Sequence, residues 1–251
     1  MGARPAPLAQ ARERVAARLR QREQPPRPAR RGPARLGRTA ARLATPAPTL
    51  VTPSPGHRPP SAGTITGVIT LYHDYTSPTS AVAVARAHRL AAEGLPIQLV
   101  GFEAIGVDMT LPVTVDVLGE LDAVSEAARA EGLALSRPDT LPVTGLAHVA
   151  EDVAQAAGRG DAWRAAAYRA YWEQAADLAD RSVLLTLAAE IGLDTERTTA
   201  ALDDRLALAA VRQRTGELRR EGIGGVPTLL AHRTLVPGLL PEDDLRALAG
   251  P

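Results

Sequence analysis

The 251-residue chain contains no cysteine and no lysine, and only one Phe, two Trp and four Tyr. Without cysteine there is no disulfide framework and no thiolate of its own. Dithiol–disulfide exchange by this chain alone is therefore excluded. Its five histidines are scattered without metal-ligand spacing, so a zinc site is not expected. No apolar run approaches the roughly 20 residues of a membrane span. Residues 1–20 are basic but lack an apolar core segment, which makes the cytoplasm the expected compartment. No glycine-rich phosphate loop follows a strand, because Gly222, Gly224 and Gly225 precede a proline instead.

All 29 basic residues are Arg, and with abundant Ala, Gly and Pro this points to a GC-rich coding sequence. The formal charge of +1 hides a division. Residues 1–62 hold 13 Arg against two Glu, a balance of +11, and the remainder holds 16 Arg against 26 acids, a balance of −10. The first segment also carries 12 of the 21 prolines and no aromatic residue, too little apolar surface to offset its ordering entropy. It is expected to be a disordered tail or an overextended gene start, with a short basic helix over 8–22. A basic arm for nucleic acid or anionic membrane, or a transit-like segment, are the other readings.

Residues 68–74 make an apolar strand rich in β-branched and aromatic side chains. The chain turns at Tyr75 and Thr76. A helix follows, with Ser77 as N-cap and Pro78 at the first helical position, where a missing N–H costs little. The free amides of that turn and the helix dipole favour a thiolate, carboxylate or phosphate. The body of the helix is expected over 80–93, with Arg86, Arg89 and Glu93 on one polar stripe and His88 off it, a packed or rim residue. Residues 97–103 are the second strand of a βαβ unit.

Helices then follow over 118–131; along the face of Leu146, Val149, Ala150, Val153 and Ala157; over 161–179; from Asp180 to Gly192; from Asp194; and over 203–220. The third of these gathers Trp163, Tyr168, Tyr171 and Trp172, either as packing between helix and sheet or as a ligand wall. Residues 228–231 and 234–236 form an antiparallel pair. Residues 241–248 close the chain as a helix with Glu242, Asp243 and Asp244 in its first turn.

The order of strand, turn, helix, strand, long helical insert and Gly225-Val226-Pro227-Thr228 resembles the DsbA-like branch of the thioredoxin-fold superfamily. More narrowly it resembles the group holding 2-hydroxychromene-2-carboxylate isomerases, kappa-class glutathione transferases and FrnE-type oxidoreductases. Asp74 with Ser77-Pro78-Thr79-Ser80, the run 168–194 and residues 225–228 carry the likeness, within about residues 66–250. The resemblance implies an α/β, thioredoxin-like fold with a helical insertion subdomain. A tail over 1–62 would precede a domain over 63–251, with a thioredoxin part at 66–104 and 222–250 and an insert at 105–221. It also implies a cis peptide at Val226–Pro227, facing Ser77, with Trp172 and Tyr168 near the groove.

Oxidoreductases of this superfamily carry Cys-x-x-Cys at the turn, whereas the isomerases and kappa transferases place a serine first, to hold the sulfur of bound glutathione. Ser77-Pro78-Thr79-Ser80 fits the second pattern. The Asp-Arg pair of the isomerases is replaced by Val236-Pro237-Gly238-Leu239-Leu240, closer to FrnE-type proteins. Their Asn-x-x-Pro-Pro segment is replaced by residues 106–112.

Two functions stay open. One is a thiol-cofactor isomerase or transferase, with Ser77, Ser80 and Asp74 as catalytic candidates and Pro78, Thr79, Trp172, Tyr168, Val226 and Pro227 as binding candidates. No cofactor would be held covalently; the thiol would be glutathione or, in an actinobacterium, mycothiol. The other is a non-catalytic binding protein with a degenerate site. The expected partner is a small-molecule thiol or a peptide, with no membrane, nucleic acid at most on the basic tail, and a homodimer left open. A Ser-His-Asp hydrolase is disfavoured because strand alternation should send His73 and Asp74 to opposite faces. Asp74 itself either resembles the buried carboxylate of thioredoxin-fold sites or stabilises the helix start.

Overall fold

The computed structural model describes residues 68–249. The tail over 1–62 and its short helix lie outside the described residues. In order, the chain forms β1 (Ile69–His73), α1 (Pro78–Ala92), β2 (Ile97–Gly101), β3 (Leu111–Pro112), α2 (Val115–Ala130), β4 (Thr140–Leu141), α3 (Gly145–Ala156), α4 (Gly160–Gln174), α5 (Arg181–Glu190), α6 (Thr195–Asp203), α7 (Arg205–Arg220), β5 (Thr228–Ala231), β6 (Thr234–Pro237) and α8 (Glu242–Ala249).

Strand β1 sits inside a four-stranded sheet of order β2-β1-β5-β6 because its residues are apolar on both faces. It pairs in parallel with β2 and antiparallel with β5, and β5 pairs antiparallel with β6. The register Tyr72↔Thr228 brings Pro227 to the end of β1 from which the active turn departs. Between β2 and β5 lie the helices α2 to α7 and a two-residue ribbon, Leu111↔Leu141 and Pro112↔Thr140, that periodicity had no way to reveal.

Some helix ends meet the sequence expectation, as at Ser77-Pro78, Asp180 and Asp194, and others differ from it for local reasons. Helix α1 begins at Pro78, with the Ser77 hydroxyl accepting the Ser80 N–H at 3.1 Å. Helix α2 begins three residues earlier than expected, capped by Thr114. Helix α4 stops at Gln174 rather than 179, because Ala175 takes a left-handed conformation (φ 54°) and turns the chain. Asp180, Asp194 and Asp204 cap α5, α6 and α7 with their side chains.

The main core lies between α1, β1, α3 and α4. Trp163 and Trp172 are fully buried, and Tyr168 and Tyr171 nearly so. Of the two readings of the aromatic cluster, core packing is therefore the one realised for Trp163 and Trp172. The expectation that Trp172 lines a ligand groove is corrected: it has no exposed surface. Its indole N–H instead donates to the Tyr75 carbonyl at 2.9 Å. Among the described residues no helix is long and apolar enough to cross a membrane.

Candidate active site at the Ser77 turn

Helix α4 holds the turn between β1 and α1 from below. Besides the Trp172 bond, Trp163 Nε1 donates to the Tyr75 hydroxyl at 3.1 Å and the Tyr168 hydroxyl donates to the Asp74 carbonyl at 3.0 Å. Three aromatic groups thus fix the backbone and ring of residues 74–75. The turn is consequently buried from His73 to Thr76, and only Ser77 and Thr79 are half-open. Ser77 Oγ accepts from Ser80 N, and Thr79 Oγ1 donates to Glu120 Oε2 at 3.3 Å. The first turn of α1 contains no acidic residue to compete for its amides. Just before β5, beside the end of β1, the Val226–Pro227 peptide is cis, Pro227 is buried and Val226 is half-open. Among the described residues the Val226 N–H and C=O take no backbone partner, while Pro227 O accepts the Gly238 N–H at 2.8 Å.

Ser80 behaves differently from Ser77. It is fully buried, and its hydroxyl has no hydrogen-bond partner among the described residues. Asp74 is also fully buried. Its carboxylate accepts from Tyr75 N at 2.7 Å and Ala104 N at 2.8 Å and pairs with His148 Nε2 at 3.3 Å. It therefore ties the turn to the exit of β2 rather than capping α1, whose Ser80 N–H goes to Ser77. Burial pushes the Asp74 carboxyl up. The His148 hydrogen bond and charge, with the Ala104 amide, outweigh that and hold it below the ordinary carboxylate value.

Beneath the turn lies an ionic network that the sequence reading missed. Glu151 on α3 accepts from Arg164 Nη1 at 2.8 Å and the Tyr75 hydroxyl at 2.7 Å, and pairs with His73 Nε2 and His148 Nδ1, each at 3.1 Å. All four acceptor positions of the carboxylate are in use. Burial alone would raise its pKa, but His73 and His148 hold it well below the usual carboxylate range. Burial alone would lower the His148 imidazole; Asp74 and Glu151 overcome it and hold it up to about 9. Burial first, then the neighbouring carboxylates, push the Tyr75 and Tyr168 phenols well up.

The expected separation of His73 from Asp74 is also corrected. Both are fully buried and both join this network, His73 Nδ1 meeting the Tyr168 hydroxyl at 3.1 Å. The network is reached because α3 is buried on both sides. Its predicted apolar face covers one side, and His148 and Glu151 stand on the other, against the end of β1. Gly101 makes room for them, since a Cβ there would overlap the His148 ring. Glu103 is a further missed group. It is buried, with one carboxylate oxygen at 3.3 Å from Arg212 Nε and the other unpartnered, and burial outweighs Arg212 in raising its pKa. Among the described residues no cluster of His, Asp and Glu has metal-holding geometry.

A parallel-antiparallel sheet with a helical insert, a helix starting at Pro78 after the Ser77 cap and a cis-proline loop entering the strand beside β1 define the DsbA-like class of thioredoxin folds. The DSBA-like thioredoxin domain matches residues 68–249, and the chain belongs to that family. No curated protein sequence matches it. Among solved structures, a probable DsbA oxidoreductase from Streptomyces coelicolor is 26% identical with a TM-score of 0.64, over 72% of this chain and 88% of that one. A 2-hydroxychromene-2-carboxylate isomerase shares 21% identity at a TM-score of 0.58, over 72% and 92%. The cytosolic disulfide reductase DsbM from Pseudomonas aeruginosa, solved with GSH, shares 24% at 0.50, over 72% and 96%. These last two are likenesses of fold.

Proposed function

We propose that the Ser77 turn holds the sulfur of a low-molecular-weight thiol, glutathione or mycothiol, and that the chain serves a thiol-dependent isomerase or transferase reaction. The observation that carries this reading is the half-open Ser77–Thr79 step at the N-terminus of a 15-residue helix with no acidic residue in its own first turn, Glu120 taking the Thr79 hydroxyl, together with a Val226 backbone that has no partner among the described residues just before the strand paired with β1. Such a terminus stabilises negative charge. The bound thiol would supply the nucleophile that the chain lacks. Ser77 would donate its O–H to that sulfur while keeping the Ser80 amide on its lone pair. The Val226 N–H and C=O would align an extended peptide-like thiol. The buried network would keep this geometry fixed rather than move protons, because its carboxylates Asp74 and Glu151 are already committed.

One observation favours a second reading, a non-catalytic binding protein: Asp74, the carboxylate of the turn itself, is buried and engaged on both oxygens, so it is not a free base for Ser77. A thermal-shift titration of the full chain with each thiol, beside Ser77→Ala, tests the first reading. Ligand at about 100 times its Kd adds about 2.7 kcal/mol to native stability. In a domain of this size that is a rise of roughly 5–11 °C. The rise should shrink in the variant. No rise with either thiol would leave the second reading in place.

A further inference from the structure

Three contacts fix how α2 lies along α1. Thr79 Oγ1 donates to Glu120 Oε2 at 3.3 Å, Val82 shares a buried cluster with Val124 and Ala128, and Arg86 Nε donates to Glu131 at 2.7 Å. The partners rise together along both helices, so α1 and α2 run side by side in the same direction. Glu120 stands level with Thr79, and α2 begins at Val115. At 1.5 Å per residue the start of α2 therefore projects about 7 Å beyond Thr79 and forms a wall beside the half-open step.

Glu120 is the side chain of that wall which touches the step. Ser77 and Thr79 are two residues apart, so their Cα atoms are at most about 7.6 Å apart. The Glu120 carboxylate thus lies within the reach of a short peptide-like ligand, which extends about 3.3–3.6 Å per residue. Asp116, one turn earlier on α2, adds a second exposed carboxylate on the same side. No cation of α1 balances them, because its two arginines, Arg86 and Arg89, are committed to Glu131. The one arginine of α2, Arg129, is about 13 Å further along the axis from Glu120. A thiolate at Ser77 would be drawn by the α1 terminus and opposed by Glu120. A cationic group on the same ligand removes that conflict.

We infer that Glu120 receives an ammonium group of the thiol whose sulfur Ser77 holds, so that the ligand is an amino thiol of the glutathione kind rather than one whose amine is acylated. This assignment rests on the thiol reading and narrows it, making Glu120 the residue that chooses between the two thiols.

The test titrates the full chain by calorimetry at low salt with glutathione and with N-acetylglutathione, which lacks the ammonium, and with mycothiol, whose amine is acylated. Glutathione should bind the wild type most tightly. Glu120→Gln can still accept the Thr79 hydroxyl but carries no charge, so circular dichroism and the ligand-free melting point should not change. In that variant the preference for glutathione over N-acetylglutathione should fall about two- to fivefold, the range for an exposed ion pair. Salt at 1 M should shrink the preference in the wild type far more than in the variant. Glu126→Gln, further along α2, should leave it as in the wild type. Binding of mycothiol without glutathione keeps the thiol reading and overturns this assignment. Glutathione bound with the same preference in Glu120→Gln as in the wild type overturns it too. Binding of none of the three overturns both.

Discussion

Replacing Glu151 by Gln keeps the shape and volume of the side chain and removes one charge from the floor of the site. In the native protein the carboxylate meets Arg164, Tyr75, His73 and His148, and its side chain is only 5% exposed. A Gln amide turns one acceptor oxygen into an NH₂ donor. In either orientation that NH₂ faces two groups that donate to Glu151. It also leaves Arg164 and the protonated His148 short of a counter-charge. Removing one partner of a buried ion pair costs about 3–5 kcal/mol, most of it the penalty of the charge left behind. For a domain of this size that lowers the melting midpoint by roughly 6–20 °C. Thermal and urea unfolding followed by circular dichroism measure it. The exposed Arg246, which pairs with Glu93 and Glu242, is the control. Arg246→Ala should cost much less, because solvent screens exposed pairs. If Glu151→Gln melts within 2 °C of wild type (under about 1 kcal/mol), the network does not hold the turn and the reasoning fails.

Further outcomes follow from the same geometry. His148, raised to about 9 from an ordinary 6.5, contributes stability that is complete below about pH 6.5 and is lost as pH rises through 9. At 1.36 kcal/mol per unit this is on the order of 3 kcal/mol. Asp74 and Glu151 are shifted down, so their contribution is present above the ordinary carboxylate range and lost in acid. Urea midpoints should therefore peak between about pH 5 and 6.5, and a flat alkaline limb in wild type would contradict the His148 assignment. Gly101→Ala should push the His148 ring out of place and destabilise by about 1–3 kcal/mol, the usual range for overpacking; a neutral effect would mean the ring can move freely. Ser77→Ala removes the N-cap of α1 and should cost about 1 kcal/mol in the absence of ligand.

The sequence made the working end of the fold legible because that end depends on local rules. Ser77-Pro78 reads as a helix start, Val226-Pro227-Thr228 as the entry to a strand, and Asp180 and Asp194 as caps, all from a few adjacent residues. The network beneath the turn was hidden because it depends on tertiary burial. His148 and Glu151 lie opposite the apolar face of α3, where a one-sided helix would put them in water. Only the covering of that second side by β1 and α4 turns them into buried ions. Glu103 was similarly concealed at the end of a strand. The resemblance puts Trp172 near the groove. Its contact is with the Tyr75 carbonyl from below, which places it in the core instead of the groove.

The absence of cysteine gives the thiol reading an unusually clean test. No thiolate absorbance in the far ultraviolet can come from the protein itself, so any change on mixing belongs to the added thiol. Difference spectra at pH 7 of the wild type with glutathione and with mycothiol should show a saturable thiolate signal for one of them. A free thiol has a pKa near 8.5 and is mostly protonated there, while the α1 terminus favours its anion. The signal should weaken in Ser77→Ala. Saturable binding without that signal, or no binding of either thiol, would contradict a turn that holds sulfur as its anion.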